Sequence, residues 1–368
     1  MPFCVQIIRK NRTARLPAGK ERLMRTAEEI NRELRVGWNL GNTFDSFDMH
    51  RDGRKGTGET GWGNPVTSRA LIHKLVSDGF NIIRVPVTWQ DHCSPEGDWA
   101  IDPSFLDRVA EVVSWILAEG AFAIVNTHHE NRWLFNDPGT AEEEKRHRFQ
   151  RIWEQVALKF RDAPDTLLLE GLNEPRYEGG ENEWNGAVPE VRRKVNELEE
   201  IFVKTVRKTG GNNEKRVLLV TSAAACPAEV AQKDIRLPEH FDPYLMVSLH
   251  SYKPTSFTGL SGDFSPESAV WDGSRVPEIE ALYESFDRII QSKGYPVLVT
   301  EDGAMCKSNE PAMAAWERDT ARIGKRYGIR HIWWDNGEHE RIGDNFAMID
   351  RRTCTWYFPE LMKAIFDK

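Results

Sequence analysis

Two glutamates, Glu174 and Glu301, are the residues of this 368-residue chain best suited to chemistry, and they lie far apart in sequence. Glu174 falls in LLLEGLNEP (167–175), an apolar run that ends in Asn173-Glu174 and is stopped by Pro175. Glu301 follows a second apolar run, YPVLVT (295–300). A buried strand that emerges into a carboxylate, with a proline ending its pairing, has the character of an active-site rim rather than of packing. Hydrolysis of a glycosidic bond needs such a pair. One carboxylic acid protonates the leaving oxygen, and the second carboxylate acts as nucleophile or base. Arg84, in FNIIRVPV (80–87), is costly to bury unpaired, and its charge would keep Glu301 ionised. His250 and Tyr252, two residues apart, share a strand face. His128 and His129 are adjacent, so a regular strand would turn only one of them inward. Glu170 has the parity of Glu174 and reads as a member of a structural pair.

The elements that must position these groups alternate along the chain. A helix over 27–34 precedes a strand over 36–42, and a polar loop over 45–64 leads to a helix over 68–77. Further strands are expected over 80–87, 122–126, 167–175, 216–221, 244–250, 295–300 and 330–334. Helices over 103–119, 141–160, 189–209, 277–291, 311–327 and 359–366 fall between or after them, with a short one near Ala228. The strands are near-continuous apolar runs, as both-face burial requires. Eight βα units in one chain predict an α/β fold, a single-domain (β/α)₈ TIM barrel. An open doubly wound sheet would want a glycine-rich phosphate loop after its first strand, and GWNLGN does not supply one. The expected division is a leader over 1–25 and a catalytic barrel over 26–368.

On that fold the polar residues gather at one rim. Asn39 and Asn42 follow the first strand, Arg84 lies near the end of the second, His128 and His129 follow the third, and Asn173 and Glu174 the fourth. His250 and Tyr252 end the sixth, Glu301 the seventh and Trp334 the eighth. Active sites of such barrels are built at the C-terminal ends of the strands, which is where these groups fall. A net charge of −8 argues against a nucleic-acid or anionic-membrane partner and suits a neutral polar substrate. Thirteen tryptophans are many, and their flat apolar rings serve either the core or the faces of sugars. Five scattered cysteines, none spaced as CxxC, give neither a disulfide framework nor a zinc site. No stretch approaches the length of apolar chain that spans a membrane, and the first residues do not form a convincing signal peptide.

The motifs GWNLGNTFD, ETGWGNP, FNIIRVPVTW, IVNTHHE, LLLEGLNEPR, LHSY, VLVTEDGA and IWWDNG occur in the order found in glycoside hydrolase family 5. The chain resembles in particular its endo-β-1,4-glucanase and xyloglucanase branch, from about Val36 to the C-terminus. The resemblance implies a retaining mechanism without metal or cofactor. It makes Glu174 the general acid/base and Glu301 the nucleophile, with Asn173 on the sugar 2-hydroxyl. Arg84 and Tyr252 would hold Glu301, His128, His129 and His250 would contact sugar or acid, Trp334 would floor the cleavage subsite, and Asn42 would bind sugar further along. It implies a plant-type β-glucan polysaccharide or oligosaccharide as substrate and a secreted or extracellular location; separately, the chain is expected to be a monomer. The family carries Gly-Glu-Phe-Gly around its nucleophile where this chain has Thr300-Glu301-Asp302-Gly303. Strand alternation points Asp302 away from the site.

Other readings use the same residues. A barrel that binds carbohydrate without cleaving it would have lost one of the two glutamates, and both are present. A mannanase or xylanase would share the scaffold. A metal-dependent hydrolase would use His128, His129, Glu130 and His250, but such barrels take a His-x-His pair from the first strand, where this chain offers Asn39 and Asn42.

Overall fold

A computed structural model of the chain describes residues 24–48 and 56–366. Its centre is a closed barrel of eight strands. These are β1 (Gly37–Leu40), β2 (Ile82–Val85), β3 (Phe122–Asn126), β4 (Leu167–Glu170), β5 (Leu218–Thr221), β6 (Leu245–His250), β7 (Val297–Asp302) and β8 (Arg330–Asp335). Every neighbouring pair is parallel, and β8 closes onto β1. The expected strand order and the barrel are therefore present. Two features were not expected: short antiparallel ribbons pair Cys93–Ser94 with Ala100–Ile101, and Ile349–Asp350 with Thr355–Trp356.

Helices between the strands bury one stripe each against the outward strand faces. They are α2 (Arg69–Asp78), α3 (Pro103–Ala118), α4 (Glu142–Lys159), α5 (Pro189–Lys208), α6 (Glu229–Lys233), α7 (Val276–Ile289) and α8 (Glu310–Tyr327), with α1 (Ala27–Glu33) ahead of the first strand and α9 (Pro359–Phe366) after the last. Their starts follow local chemistry. Asp102 accepts a hydrogen bond from the Ser104 N–H ahead of Pro103, and α4 opens on Glu142, Glu143 and Glu144, which favour the positive end of a helix.

The barrel interior is layered. Its lower layer is apolar: Ile82, Phe122, Ile124, Leu168, Leu219, Met246, Leu298 and Ile332 pack with Ala27, Ile30 and Leu34 of the α1 region. Helix α1, held by a capping box of Thr26 and Glu29, thus closes the mouth at the N-terminal ends of the strands. Above that layer the interior turns polar, with Asn39, Arg84, Asn126, Glu170, Ser248, Thr300 and Glu301 all buried. This is the floor of the site.

The run at 167–175 is strand only to Glu170, and the residues from Gly171 onward form the loop that carries Asn173 and Glu174. Strand β7 runs two residues past its expected end, to Asp302. The expected leader lies, but for its last two residues, outside the described residues. Cys93, Cys226, Cys306 and Cys354 are free thiols. Among the described residues, no helix is long and apolar enough to cross a membrane.

Candidate active site

Arg84 organises the polar floor. Its side chain is fully buried and every arm of the guanidinium is used. Nε donates to Glu170 Oε2 at 2.7 Å, Nη2 to Asn173 Oδ1 at 2.7 Å, and Nη1 to Glu301 Oε1 at 2.6 Å and Asn39 Oδ1 at 3.0 Å. One cation therefore faces two carboxylates, and Glu170 is the structural partner expected from its parity. Glu170 also accepts from Ser248 Oγ at 2.5 Å and Asn126 Nδ2 at 3.1 Å. A charge buried this deeply needs such complete pairing.

Glu301 reaches this floor through an irregularity in β7. Pairing with β6 passes from Leu249–Val299 to His250–Glu301, so Thr300 is skipped and the register shifts. Thr300 meets Ser248 Oγ and Glu301 meets Arg84, so both face inward. Asp302 then faces outward, as alternation from Glu301 predicts, and pairs with the His331 imidazole on β8, whose other nitrogen lies 3.3 Å from Glu317 on α8. Two carboxylates hold His331 protonated: burial alone lowers its pKa, but Asp302 and Glu317 raise it to about 9.

Above the floor His250 stands between the two candidate catalytic groups. Its Nδ1 is 2.9 Å from Glu174 Oε1 and 3.5 Å from Glu301 Oε2. These three ligand atoms lie within 4.8 Å of one another. Tyr252 Oη donates to Glu301 Oε2 at 3.1 Å. The trio titrates as a unit. Burial lowers the His250 pKa, but the Glu301 and Glu174 carboxylates overcome it and leave the imidazole above its ordinary value. Burial pushes Glu174 upward, yet the His250 hydrogen bond and the charges of His250 and Arg176 hold it at about 2. Burial keeps Glu301 above the ordinary carboxylate range, against the pull of His250 and Arg84. The balance of these effects keeps the proton on His250, one hydrogen bond away from Glu174.

Both histidines of the third strand end converge on the site, because β3 is already over at Asn126 and strand alternation no longer governs them. Their Nε2 atoms approach Asp45 Oδ2 at 3.9 and 3.8 Å, and His128 lies 4.0 Å from Glu301 Oε1. Burial, with His129 and Arg84 nearby, lowers the His128 pKa well below normal, so its ring is neutral. Burial raises Asp45 to about 7 against hydrogen bonds from the Thr43 and Asn42 amides. Asp45 was not singled out in the sequence; its signal was the final position of GWNLGNTFD. Glu130 does not join the group, since it accepts from the Trp89 N–H and the Trp133 indole.

The His128 ring is parallel to the Trp334 indole, with centroids 5.6 Å apart and planes 3° from each other. Trp334 can take this position because residue 41 is glycine: a Cβ there would meet Trp334 Cη2 at 2.7 Å. Asn42 adopts a left-handed φ of 54°, which asparagine tolerates, and its backbone bonds to Asp45 and Asn64 rather than to the carboxylate pair. The structure therefore brings Arg84, His128, His129, Asn173, Glu174, His250, Tyr252, Glu301 and Trp334 to one mouth, with Asn42 at its edge. Arg176, which touches Glu174, was missed.

Residues 42–340 match the family model for cellulase, glycosyl hydrolase family 5. The chain belongs to glycosyl hydrolase family 5. Endoglucanase A of Ruminococcus albus is 39% identical over 346 residues, covering 93% of this chain and 92% of that protein. The cellulase/esterase CelE of Acetivibrio thermocellus is 38% identical over 356 residues, covering 95% of this chain, which spans only 42% of that longer protein. A solved GH5-4 broad specificity endoglucanase from Ruminococcus champanellensis, with bound cellotriose, superposes with a TM-score of 0.86 at 37% identity, over 93% of this chain and 98% of that one. The paired glutamates thus sit in a glycoside hydrolase barrel.

Proposed function

We propose that this family 5 glycoside hydrolase is a retaining endo-β-1,4-glucanase that cleaves internal bonds of β-glucans by double displacement. The observation that carries the mechanism is the closeness of the two carboxylates, whose oxygens lie within 4.8 Å of each other. Retaining enzymes hold their carboxyl groups about 5–5.5 Å apart, whereas inverting enzymes leave about 6.5–9.5 Å for a water molecule. The substrate class rests on the endoglucanase relatives and on the cellotriose-bound neighbour.

In this reading Glu301, oriented by Arg84 and Tyr252, attacks the anomeric carbon from one face of the sugar. Glu174 protonates the departing oxygen from the other side. Closure of a sugar over the site removes water and disfavours the Glu174–His250 ion pair relative to the neutral pair. The proton then crosses the 2.9 Å hydrogen bond from Nδ1 to Glu174 Oε1, ready for the leaving group. In the second step Glu174 takes a proton from water as the water oxygen bonds to the anomeric carbon and the bond to Glu301 breaks, which frees the sugar. Asn173, its carbonyl oxygen held by Arg84, turns its amide N–H groups to the 2-hydroxyl, and Trp334 supplies an apolar floor. No step calls for a metal or cofactor. The substrate is a polymer, which places the enzyme's work outside the cell, and we take it to act as a monomer.

The test is reducing-end release from carboxymethyl cellulose, barley β-glucan, xyloglucan, xylan and glucomannan. Glu174→Gln and Glu301→Gln should each lose at least about a hundredfold in kcat with the fold intact. Near-parent activity in either variant would overturn that residue's role. Oligosaccharide binding by the parent without cleavage of any polymer would turn the assignment to a binding barrel.

A further inference from the structure

Glu174 is gripped from two sides, and only one of them has so far been given a task. His250 holds Oε1. On the other side Arg176 Nη1 donates to the Glu174 backbone oxygen at 2.9 Å and approaches its Oε2 at 3.3 Å. Arg176 is itself locked. Its Nε donates to Glu183 Oε1 at 2.8 Å, and the far oxygen of Glu183 accepts from the Gly179 N–H at 2.7 Å. The guanidinium carbon lies 4.2 Å from the centre of the Trp184 ring. Asn131 completes the clamp, donating to the Glu174 oxygen at 3.0 Å and accepting from the Arg176 N–H at 3.2 Å. A surface arginine with no task would not be pinned on its edge, its face and its backbone at once. The side chain is 14% exposed and Glu174 18%, so the pair lies at the wet lip of the site, next to where a leaving group departs.

We propose that Arg176 is a positioning residue of the general acid, fixing the rotation of the Glu174 carboxyl and stabilising the carboxylate formed as its proton leaves. This rests on the reading of Glu174 as the acid. His250 at Oε1 and Arg176 Nη1 at Oε2 together set the plane of the carboxyl group, and Glu183, Trp184 and Asn131 fix where Nη1 stands. The charge favours the ionised product of proton donation, in the same direction as the Arg176 contribution to Glu174 acidity. The other groups that set this acidity are His250 on β6 and His129 after β3, and Glu301 on β7 faces His250 at 3.5 Å. Glu183 faces Arg176 from its own loop, and Arg84 reaches the neighbouring Asn173.

A leaving group that needs no protonation separates this role from simple support of the fold. The experiment measures kcat/KM, which reports the step that forms the glycosyl-enzyme, on phenyl cellobioside and on dinitrophenyl cellobioside. Parent, Arg176→Gln, Arg176→Lys and Glu174→Gln are compared, each with its thermal melt. Arg176→Gln should fall about tenfold or more on the phenyl glycoside and less than about threefold on the dinitrophenyl glycoside. The alkaline limb of its pH profile should move upward, because loss of a neighbouring cation raises the acid's pKa. Arg176→Lys should recover part of the loss, and it carries the test if the glutamine variant melts too low to assay. Equal losses on both glycosides, or an unmoved alkaline limb, would overturn the proposal. If Glu174→Gln shows the leaving-group dependence and Arg176→Gln does not, only Arg176 loses its role. If Glu174→Gln shows none, the acid assignment beneath it falls.

Discussion

Tyr252→Phe removes one hydroxyl from Glu301, the proposed nucleophile, and leaves the rest of the floor in place. The Oη donates to Glu301 Oε2 at 3.1 Å, and burial together with the Glu301 and Glu174 charges raises the phenol's own pKa well above normal. Tyr252 is therefore a donor at every working pH. A hydrogen bond to a charged acceptor contributes about 1.5–3 kcal/mol, and about 1.4 kcal/mol corresponds to one pKa unit. The bond favours ionised Glu301, so its loss should raise the Glu301 pKa by about one to two units. Glu301 already stands above the ordinary carboxylate range because of burial. Only the ionised carboxylate attacks, so the acid limb of kcat/KM on a soluble β-glucan should shift to higher pH by that amount. The alkaline limb, which reports the Glu174–His250 proton, should move much less. An acid limb that stays in place or moves to lower pH would refute the claim that Tyr252 acts on the nucleophile's charge.

Two further perturbations reach the site through the fold. His331 is buried, with a folded pKa of about 9 against about 6.5 unfolded, which corresponds to about 3 kcal/mol of stabilisation. A raised folded pKa means that this contribution is complete below about pH 6.5 and is lost as pH rises through about 9. The melting temperature of the parent should therefore fall across that window, and His331→Gln, less stable below it, should show a flatter decline and approach the parent at its alkaline end. Gly41→Ala would place a Cβ 2.7 Å from Trp334 Cη2 and 2.8 Å from the Asp335 oxygen. It should cost about 1–3 kcal/mol in thermal unfolding and raise KM for cello-oligosaccharides as Trp334 is displaced. An unchanged KM would mean that the indole does not touch sugar.

Sequence periodicity made the barrel legible because parallel strands buried on both faces leave uninterrupted apolar runs, and eight such runs alternate with helices here. It also made Glu174 and Glu301 legible as groups at the ends of those runs. What it could not give was the route by which each side chain reaches the site. Glu301 faces inward only because Thr300 is skipped in the pairing with β6, and a one-residue shift of this kind leaves no mark in an alternating pattern. His128 and His129 both enter because β3 stops at Asn126, and the end of a strand is the least readable feature of its sequence. Asp45 and Arg176 sit in loops, where no period exists to assign a direction.

The division of charge on the floor has the same character. From sequence, Arg84 had one evident task, the ionisation of Glu301. In the folded chain its guanidinium is split between Glu301 and Glu170, with Asn173 and Asn39 taking the remaining directions. A cation shared in this way cancels less of the burial penalty on Glu301 than a dedicated partner would, which agrees with the raised pKa of that group. It also ties Glu301 to the residue beside Glu174, because the same planar group bonds Glu301 and Asn173. One side chain rising from the second strand thereby links Glu301 to the loop that carries Glu174, while His250 and Arg176 hold the Glu174 carboxyl itself.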